Sequence, residues 1–417
     1  MDKNIIKRLI LENQKIIQQI ALVDRTYAFE PHSNYVLVGL RRVGKSYLLF
    51  QHAQELIKQG HSAEEILYFN FEDDRLGNMS VCDLDDIKLT YEEMYAHKPI
   101  FMLDEVQIVD GWEKFARRLA DQKYRVFITG SNAKMLSSEI STTLGGRYIV
   151  QKVYPFSFKE YLFSKGTTID PGWEYLPNSE IKREFNNYFH QGGLPELSTI
   201  DNPYRRQWLS NLYNKIYFGD ITSRHNVRNA LALKTLMRKL AESVKQPISF
   251  NRLANIVSTI QGKVKPETIV DYISYIEDAC LVFPIQNIAA KLQDKVANQK
   301  YYFIDNGLLS LFLIDPETSL LENLVAVNLI EKYEDDVYFY NEKIEVDFCL
   351  YEAETGIQVS YSITEASTRD REVKALIAYG NRFPSHRLVI ITMDEEEKIV
   401  ADGKTIEVVP LWKWLLR

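Results

Sequence analysis

The chain has 417 residues, of which 46% are hydrophobic and 26% charged, and its net charge is −7. At about 100 to 200 residues per domain this suffices for two to four packed domains and excludes a disordered chain. No run of about 18 apolar residues is present to span a membrane, and Met1-Asp2-Lys3-Asn4-Ile5-Ile6-Lys7-Arg8 lacks the apolar core and cleavage site of a signal peptide, so a cytoplasmic location is expected.

The first predicted strand is Tyr35-Val36-Leu37-Val38, and Tyr47-Leu48-Leu49-Phe50 with residues 51–58 reads as the first long helix. Between them stands Gly39-Leu40-Arg41-Arg42-Val43-Gly44-Lys45-Ser46, a complete phosphate-binding loop in the strand-to-helix context it requires. Its glycines let backbone N–H groups converge on phosphate oxygens at a helix N-terminus. The candidate nucleotide-binding residues are therefore Gly39, Arg42, Val43, Gly44, Lys45, Ser46 and Tyr47. Arg41 and Arg42 are expected to turn their side chains to solvent or a partner, because backbone makes the cradle; Lys45 reaches the β/γ-phosphates and Ser46 ligates Mg²⁺. A nucleoside triphosphate with magnesium is the expected ligand.

Lys98-Pro99-Ile100-Phe101-Met102-Leu103 is an apolar strand ending in Asp104-Glu105, a Walker B pattern. Asp104 is the second expected Mg²⁺ ligand, and Glu105 is placed to polarise an attacking water. A third strand, Tyr124-Arg125-Val126-Phe127-Ile128-Thr129, runs into Gly130-Ser131-Asn132. Asn132 or Ser131 is positioned to contact the water or the γ-phosphate, with Thr129 behind them, although Gly-Ser-Asn is also ordinary turn composition.

Farther on come Leu144-Gly145-Gly146-Arg147 and Tyr154-Pro155-Phe156-Ser157-Phe158-Lys159-Glu160-Tyr161, then Gly192-Gly193-Leu194-Pro195-Glu196, Tyr302-Phe303-Ile304-Asp305-Asn306-Gly307-Leu308 and Glu345-Val346-Asp347-Phe348. In this order and spacing the series resembles a family of prokaryotic AAA+ ATPases that carry a C-terminal domain of unknown function, over nearly the whole chain. The resemblance implies a parallel-sheet core with the P-loop strand in its centre, ATP as the nucleotide, and Arg147 as an arginine serving the γ-phosphate of its own or an adjacent subunit. A surface or ion-paired arginine is the alternative for Arg147.

Charge divides the chain. Between residues 203 and 265 twelve basic side chains face only Asp220 and Glu242, a segment of +10 in a protein of −7. This points to an anionic partner, double-stranded DNA first, with a solvated basic face as the alternative. Within it, Ser249-Phe250-Asn251-Arg252-Leu253-Ala254-Asn255-Ile256-Val257 is a capped helix and Pro266 to Ile276 a second, followed by strands at Leu281–Ile285 and Lys300–Ile304. The pattern resembles a winged helix, yet Glu267, Asp271, Glu277 and Asp278 make its second helix acidic, so a protein-docking module is the competing reading.

The last part predicts an amphipathic helix over 322–330 and strands at 337–340, 346–350 and 357–361. Relatives of the resembled family look like restriction endonucleases here. That chemistry needs an acid on one strand and Glu-x-Lys on the next. Asp347 supplies the first, but Gln358 and Ser360 stand where the others belong, so a nuclease-like scaffold without nuclease activity is expected. Cys82, Cys280 and Cys349 and the seven histidines show no metal or disulfide spacing.

The expected fold is α/β. An AAA+-like P-loop parallel-sheet domain (1–165) is followed by a basic helical lid or linker (166–244), a winged-helix-like domain (245–305) and a smaller endonuclease-like α/β domain (306–417). The expected function is ATP hydrolysis coupled to nucleic acid, with a nucleotide-controlled switch read by a protein partner as the alternative; the sequence leaves oligomeric state open.

Overall fold

A computed structural model describes residues 2–77, 79–132, 135, 142–169, 172–173 and 179–417. The chain forms two compact units, Met1–Tyr154 with Asp278–Cys280, and Pro155–Glu277 with Leu281–Arg417. Among the described residues no helix is long and apolar enough to cross a membrane.

In the first unit, helix α1 (Lys3–Gln19) is capped by Asp2, whose carboxylate accepts from the Asn4 N–H at 2.8 Å. Ile6, Leu9, Ile10 and Ile17 recur at helical spacing and are buried. Strands β1 (Asn34–Val38), β2 (Ile66–Asn70), β3 (Ile100–Asp104), β4 (Arg125–Gly130) and β5 (Tyr148–Lys152) form a sheet in the order β2-β3-β4-β1-β5. Every pair in it is parallel. Helices α2 (Lys45–Lys58), α3 (Asp83–Met94) and α4 (Trp112–Asp121) accompany it. A parallel sheet covered by helices needs continuous apolar strands rather than alternating ones. β1, β2 and β3 meet that demand with at least four buried residues each. The P-loop strand β1 lies between β4 and the edge strand β5, one place from the centre, which β4 holds.

In the second unit, α5 (Phe158–Ser164), capped by Ser157 with Glu160 completing a capping box, packs its Phe158 and Tyr161 rings on Phe185 and Tyr188 of α6 (Ser179–Gln191). Phe156 N–H also donates to Gly193 O at 2.7 Å. These contacts draw residues 155–165 into the second unit, so the chain divides at 154/155 and not after 165. Helices α7 (Asn202–Lys215) and α8 (Ala230–Glu242) flank a π-helical stretch, Ile216–Ser223.

Strand β6 (Ile248–Ser249), α9 (Phe250–Gln261), α10 (Pro266–Asp278), β7 (Val282–Asn287), α11 (Leu292–Ala297) and β8 (Asn298–Phe303) follow. Then come α12 (Asn306–Ser310), α13 (Glu317–Tyr333), β9 (Val337–Asn341), β10 (Glu345–Leu350), β11 (Thr355–Val359), α14 (Ala366–Arg382), β12 (Arg387–Thr392), β13 (Glu397–Ala401), β14 (Lys404–Pro410) and α15 (Leu411–Trp414). All nine strands share one mixed sheet, β13-β14-β12-β11-β10-β9-β7-β8-β6. The expected division at 305/306 therefore falls inside a continuous sheet. β7 pairs with β9 in parallel through Gln286↔Tyr338 and Asn287↔Phe339. The Asn287 side chain reinforces that seam, donating to Asn341 O at 2.6 Å and accepting from Asn341 N–H at 3.1 Å.

The helix over 322–330 is longer than predicted and not amphipathic. Leu320 to Val327 is buried without a break, Glu322 and Asn323 included. Asn323 satisfies its amide on Phe303 N–H (2.7 Å), Phe303 O (2.9 Å) and Asn306 (3.0 Å), so the polar side chains belong to the interior.

Candidate nucleotide site

The C-terminal ends of β1, β3 and β4 are level, since Leu37 pairs with Thr129, Val38 with Gly130 and Leu103 with Ile128. Residues that follow these strands are thereby delivered to one edge. The P-loop leaves β1 at Gly39, where a Cβ would come within 2.2 Å of Val153 O, so only glycine fits. Gly44 caps α2 with φ 96°, a left-handed conformation glycine adopts without strain. Arg42 also has a positive φ, 67°, and is exposed, while Val43 is fully buried. Tyr47 is more than half exposed on the first turn of α2.

Lys45 is buried, and its Nζ donates to Gly39 O (3.1 Å) and Leu40 O (3.2 Å) while lying 3.5 Å from Glu105 Oε1. Asp104 is 1% exposed. Its two oxygens accept from Tyr68 OH at 2.6 Å and from the Thr129 hydroxyl, and Ser46 bonds it as well. Burial pushes the Asp104 carboxyl up, against the pull of the Thr129 and Tyr68 hydrogen bonds. Glu105 sits at φ 56°, ψ 37° and its N–H donates to Thr129 Oγ1 at 2.9 Å. Burial works to raise its carboxyl, but the Lys45 ammonium and the Gln107 amide more than offset that and hold it below the usual carboxylate range.

Ser131 N–H donates to Glu105 Oε2 at 3.3 Å, and Asn132 follows it, also buried. Among the described residues the buried Ser131 Oγ and Gln107 Oε1 have no hydrogen-bond partner within the protein. Beside a P-loop the Ser131 hydroxyl suits a phosphate oxygen or an attacking water, and the Gln107 carbonyl oxygen, an acceptor, suits the water alone. Ser46 beside Asp104 likewise forms the hydroxyl and carboxylate pair that Mg²⁺ requires.

Arg147 is not brought here. It precedes Tyr148, which pairs with Asn34 at the start of β1, so at ~3.3 Å per residue it lies about 20 Å from the P-loop along the strands. Its Nε donates to Asp121 Oδ1 at 2.6 Å and its Nη1 to Leu144 O (3.3 Å) and Gly145 O (3.1 Å). The parallel topology thus rules out the reading in which Arg147 serves its own subunit's nucleotide.

Two residues at this site escaped the sequence reading. Tyr68 reaches Asp104 from β2, a long-range pairing that no local spacing signals. Arg25, in an irregular segment, donates to Val43 O (3.2 Å) and Tyr154 O (2.8 Å) and exchanges hydrogen bonds with Gln51, bracing the loop from behind.

In the second unit the basic segment is less uniform than its charge suggests. Arg205 Nε donates to Ile200 O at 2.6 Å, Arg224 pairs with buried Asp220 at 3.7 Å, and Arg238 and Lys239 both pair with Glu242. Arg206, Arg228, Arg252, Lys263 and Lys265 are exposed. The exposed face of α10 carries Glu267, Val270 and Asp271, an acidic surface unsuited to phosphate.

Residues 32–162 match the family described as AAA domain, and residues 182–319 match one described as domain of unknown function (DUF8612). The uncharacterized protein MJ1544 of Methanocaldococcus jannaschii is 33% identical over 100% of this chain and 96% of its own length. An uncharacterized protein of Haemophilus influenzae is 31% identical over 92% of this chain and 94% of its own. Among solved structures, the Aeropyrum pernix ORC1 protein in complex with DNA aligns with 76% of this chain and 94% of its own, at 12% identity and a TM-score of 0.30.

Proposed function

The chain belongs to the AAA+ superfamily of P-loop ATPases that carry a C-terminal domain of unknown function, and from that premise we propose that it binds ATP with Mg²⁺ and hydrolyses it. The observation that supports this is the convergence of Lys45, Ser46, Asp104, Glu105 and Thr129 on one sheet edge. Lys45 would exchange its loop carbonyls for phosphate oxygens, and the N–H groups at the start of α2 would hold the rest of the triphosphate. Mg²⁺, held through Ser46 and Asp104, would supply charge neutralisation at the β- and γ-phosphates. Glu105, kept ionised, is the base that orients and accepts a proton from water. Thr129 positions both acids, and Asn132 borders the place of the γ-phosphate.

In this proposal the exposed cations among residues 203–265 bind double-stranded DNA, with Arg206, Arg228, Lys263 and Lys265 as phosphate contacts. The order β6, α9, α10, β7, β8 supports the winged-helix reading, but the acidic α10 points to the flanking lysines rather than to readout by that helix. Steady-state ATP turnover tests both parts, measured for the wild type, Lys45→Ala and Glu105→Gln, with and without DNA at low salt. Loss of turnover in both variants and stimulation by DNA are expected. Turnover indifferent to DNA, with no salt-dependent binding, would remove the nucleic acid from the proposal.

One observation favours the other partner class. A groove of about 630 Å³ between α7, α8 and residues 311–314 combines Arg206, Lys234 and Arg238 with Leu231 and Ile314, which are 59% and 97% exposed. Apolar side chains ringed by cations suit an acidic amphipathic protein segment better than a phosphate backbone.

A further inference from the structure

The nuclease-like reading of the C-terminal strands implies a divalent cation held by Asp347 and neighbouring acids, and the residues present do not fit one. Lys300, on β8, is fully buried. Its Nζ lies 3.4 Å from Glu322 Oε1 on α13, 3.1 Å from Glu345 Oε1 and 3.4 Å from Asp347 Oδ1, both on β10. We propose that this ammonium takes the place of the metal, making the centre a self-contained lock of one lysine and three carboxylates that neither binds a divalent cation nor cuts DNA.

The other atoms of the cluster agree. The second Asp347 oxygen accepts from Val359 N–H at 2.9 Å, and the Asp347 N–H donates to Gln358 Oε1 at 2.8 Å. The Gln358 amide nitrogen donates to Glu372 Oε2 at 2.6 Å, and Tyr302 OH donates to Glu322 Oε1 at 2.7 Å. Ser360, where a lysine would stand in a nuclease, turns its hydroxyl to Ser362 O at 2.9 Å. Among the described residues no set of three or more His, Cys, Asp or Glu side chains is arranged to hold a metal ion.

Metal–oxygen bonds for Mg²⁺ or Mn²⁺ are about 2.0–2.2 Å. An ion on Glu322 Oε1 and Asp347 Oδ1 would therefore share its coordination space with the Lys300 ammonium, and two cations at that separation in a buried site repel strongly. Glu345 and Asp347, both on β10, would conversely repel one another without a cation between them. One lysine meets both requirements while tying β8, β10 and α13 together.

Binding of Mn²⁺ to the nucleotide-free full chain, followed by electron paramagnetic resonance, tests the proposal. Wild type and Asp347→Asn are expected to bind the same amount of Mn²⁺. Lys300→Ala is expected to gain about one equivalent, lost again when Asp347→Asn is added; if that variant fails to fold, Lys300→Gln replaces it. Wild-type Mn²⁺ binding, or Mn²⁺-dependent cleavage of linear DNA, that disappears in Asp347→Asn would overturn the proposal. Because the wild type against Asp347→Asn comparison needs no change at Lys300, it decides the matter even if every Lys300 variant is unstable.

Discussion

Lys45 Nζ and Glu105 Oε1 lie 3.5 Å apart, so the cation that would meet the phosphates and the carboxylate that would activate water hold each other. A bound triphosphate would draw Lys45 away and leave Glu105 to Gln107 and Ser131. Glu105→Gln removes the competing charge and the base together. It is expected to bind a fluorescent ATP analogue several-fold more tightly while losing about 10²- to 10⁴-fold in turnover. Lys45→Ala is expected to lose binding itself. Equal affinities for wild type and Glu105→Gln would show that the pair does not oppose nucleotide.

Tyr68 contributes one of the hydrogen bonds that oppose the upward push of burial on the Asp104 carboxyl. Removing it in Tyr68→Phe lets burial raise the carboxyl further, so the acid limb of the pH–rate profile should move to higher pH and the Mg²⁺ concentration for half-maximal turnover should rise. Leaving a buried acceptor short of a donor costs about 1–3 kcal/mol, which a denaturant melt of the variant would register. Thr129→Val, which takes a partner from Asp104 and from the Glu105 N–H, should move the same profile in the same direction.

Arg147 stands at the opposite end of the sheet from its own P-loop. An action on a neighbouring copy requires complementation. Arg147→Ala and Glu105→Gln, each expected to be inactive alone, should regain part of wild-type turnover when mixed. Full turnover by Arg147→Ala alone would assign the side chain to its pair with Asp121 and nothing more.

His52 is buried between the rings of Phe29 and Phe127, 4.7 and 4.6 Å away. Burial, with the nearby Arg125, pushes its imidazole down to about 4 from 6.5. A base with a depressed folded pKa stabilises the fold fully above the unfolded value and loses that contribution as pH falls through the folded one. The first unit should therefore lose about 3 kcal/mol between pH 6.5 and 4. His52→Phe should flatten that decline in a series of melts; an unchanged decline would place its cause elsewhere.

The gathering of Lys45, Ser46, Asp104 and Glu105 at one sheet edge is legible because the P-loop and Walker B patterns fix residue types within a few positions of a strand end. Gly39, Lys45, Ser46, Asp104 and Glu105 all stand where local spacing puts them. Residues whose partners come from distant strands were not legible. Tyr68 reads as one more strand tyrosine, Glu322 reads as the polar face of an amphipathic helix, and Lys300 reads as the start of a strand, until the sheet places Lys300 and Tyr302 against Glu322. A count of charges also does not show which cations have partners inside the fold, as Arg205 and Arg224 do. Arg147 could be located only from the parallel register of β1 and β5.

Between β7 and β9 the strand ladder of the nine-stranded sheet has only two residue pairs, with the Asn287 side chain beside them and the Lys300 cluster bridging β8 to β10. Elsewhere in it, neighbours such as β12 and β14 match five pairs. A ladder this short is a natural line for sub-global opening. Amide hydrogen exchange should divide it there, with β10 to β14 protected to one free energy and β6 to β8 to another, and Asn287→Ala should widen the gap between them.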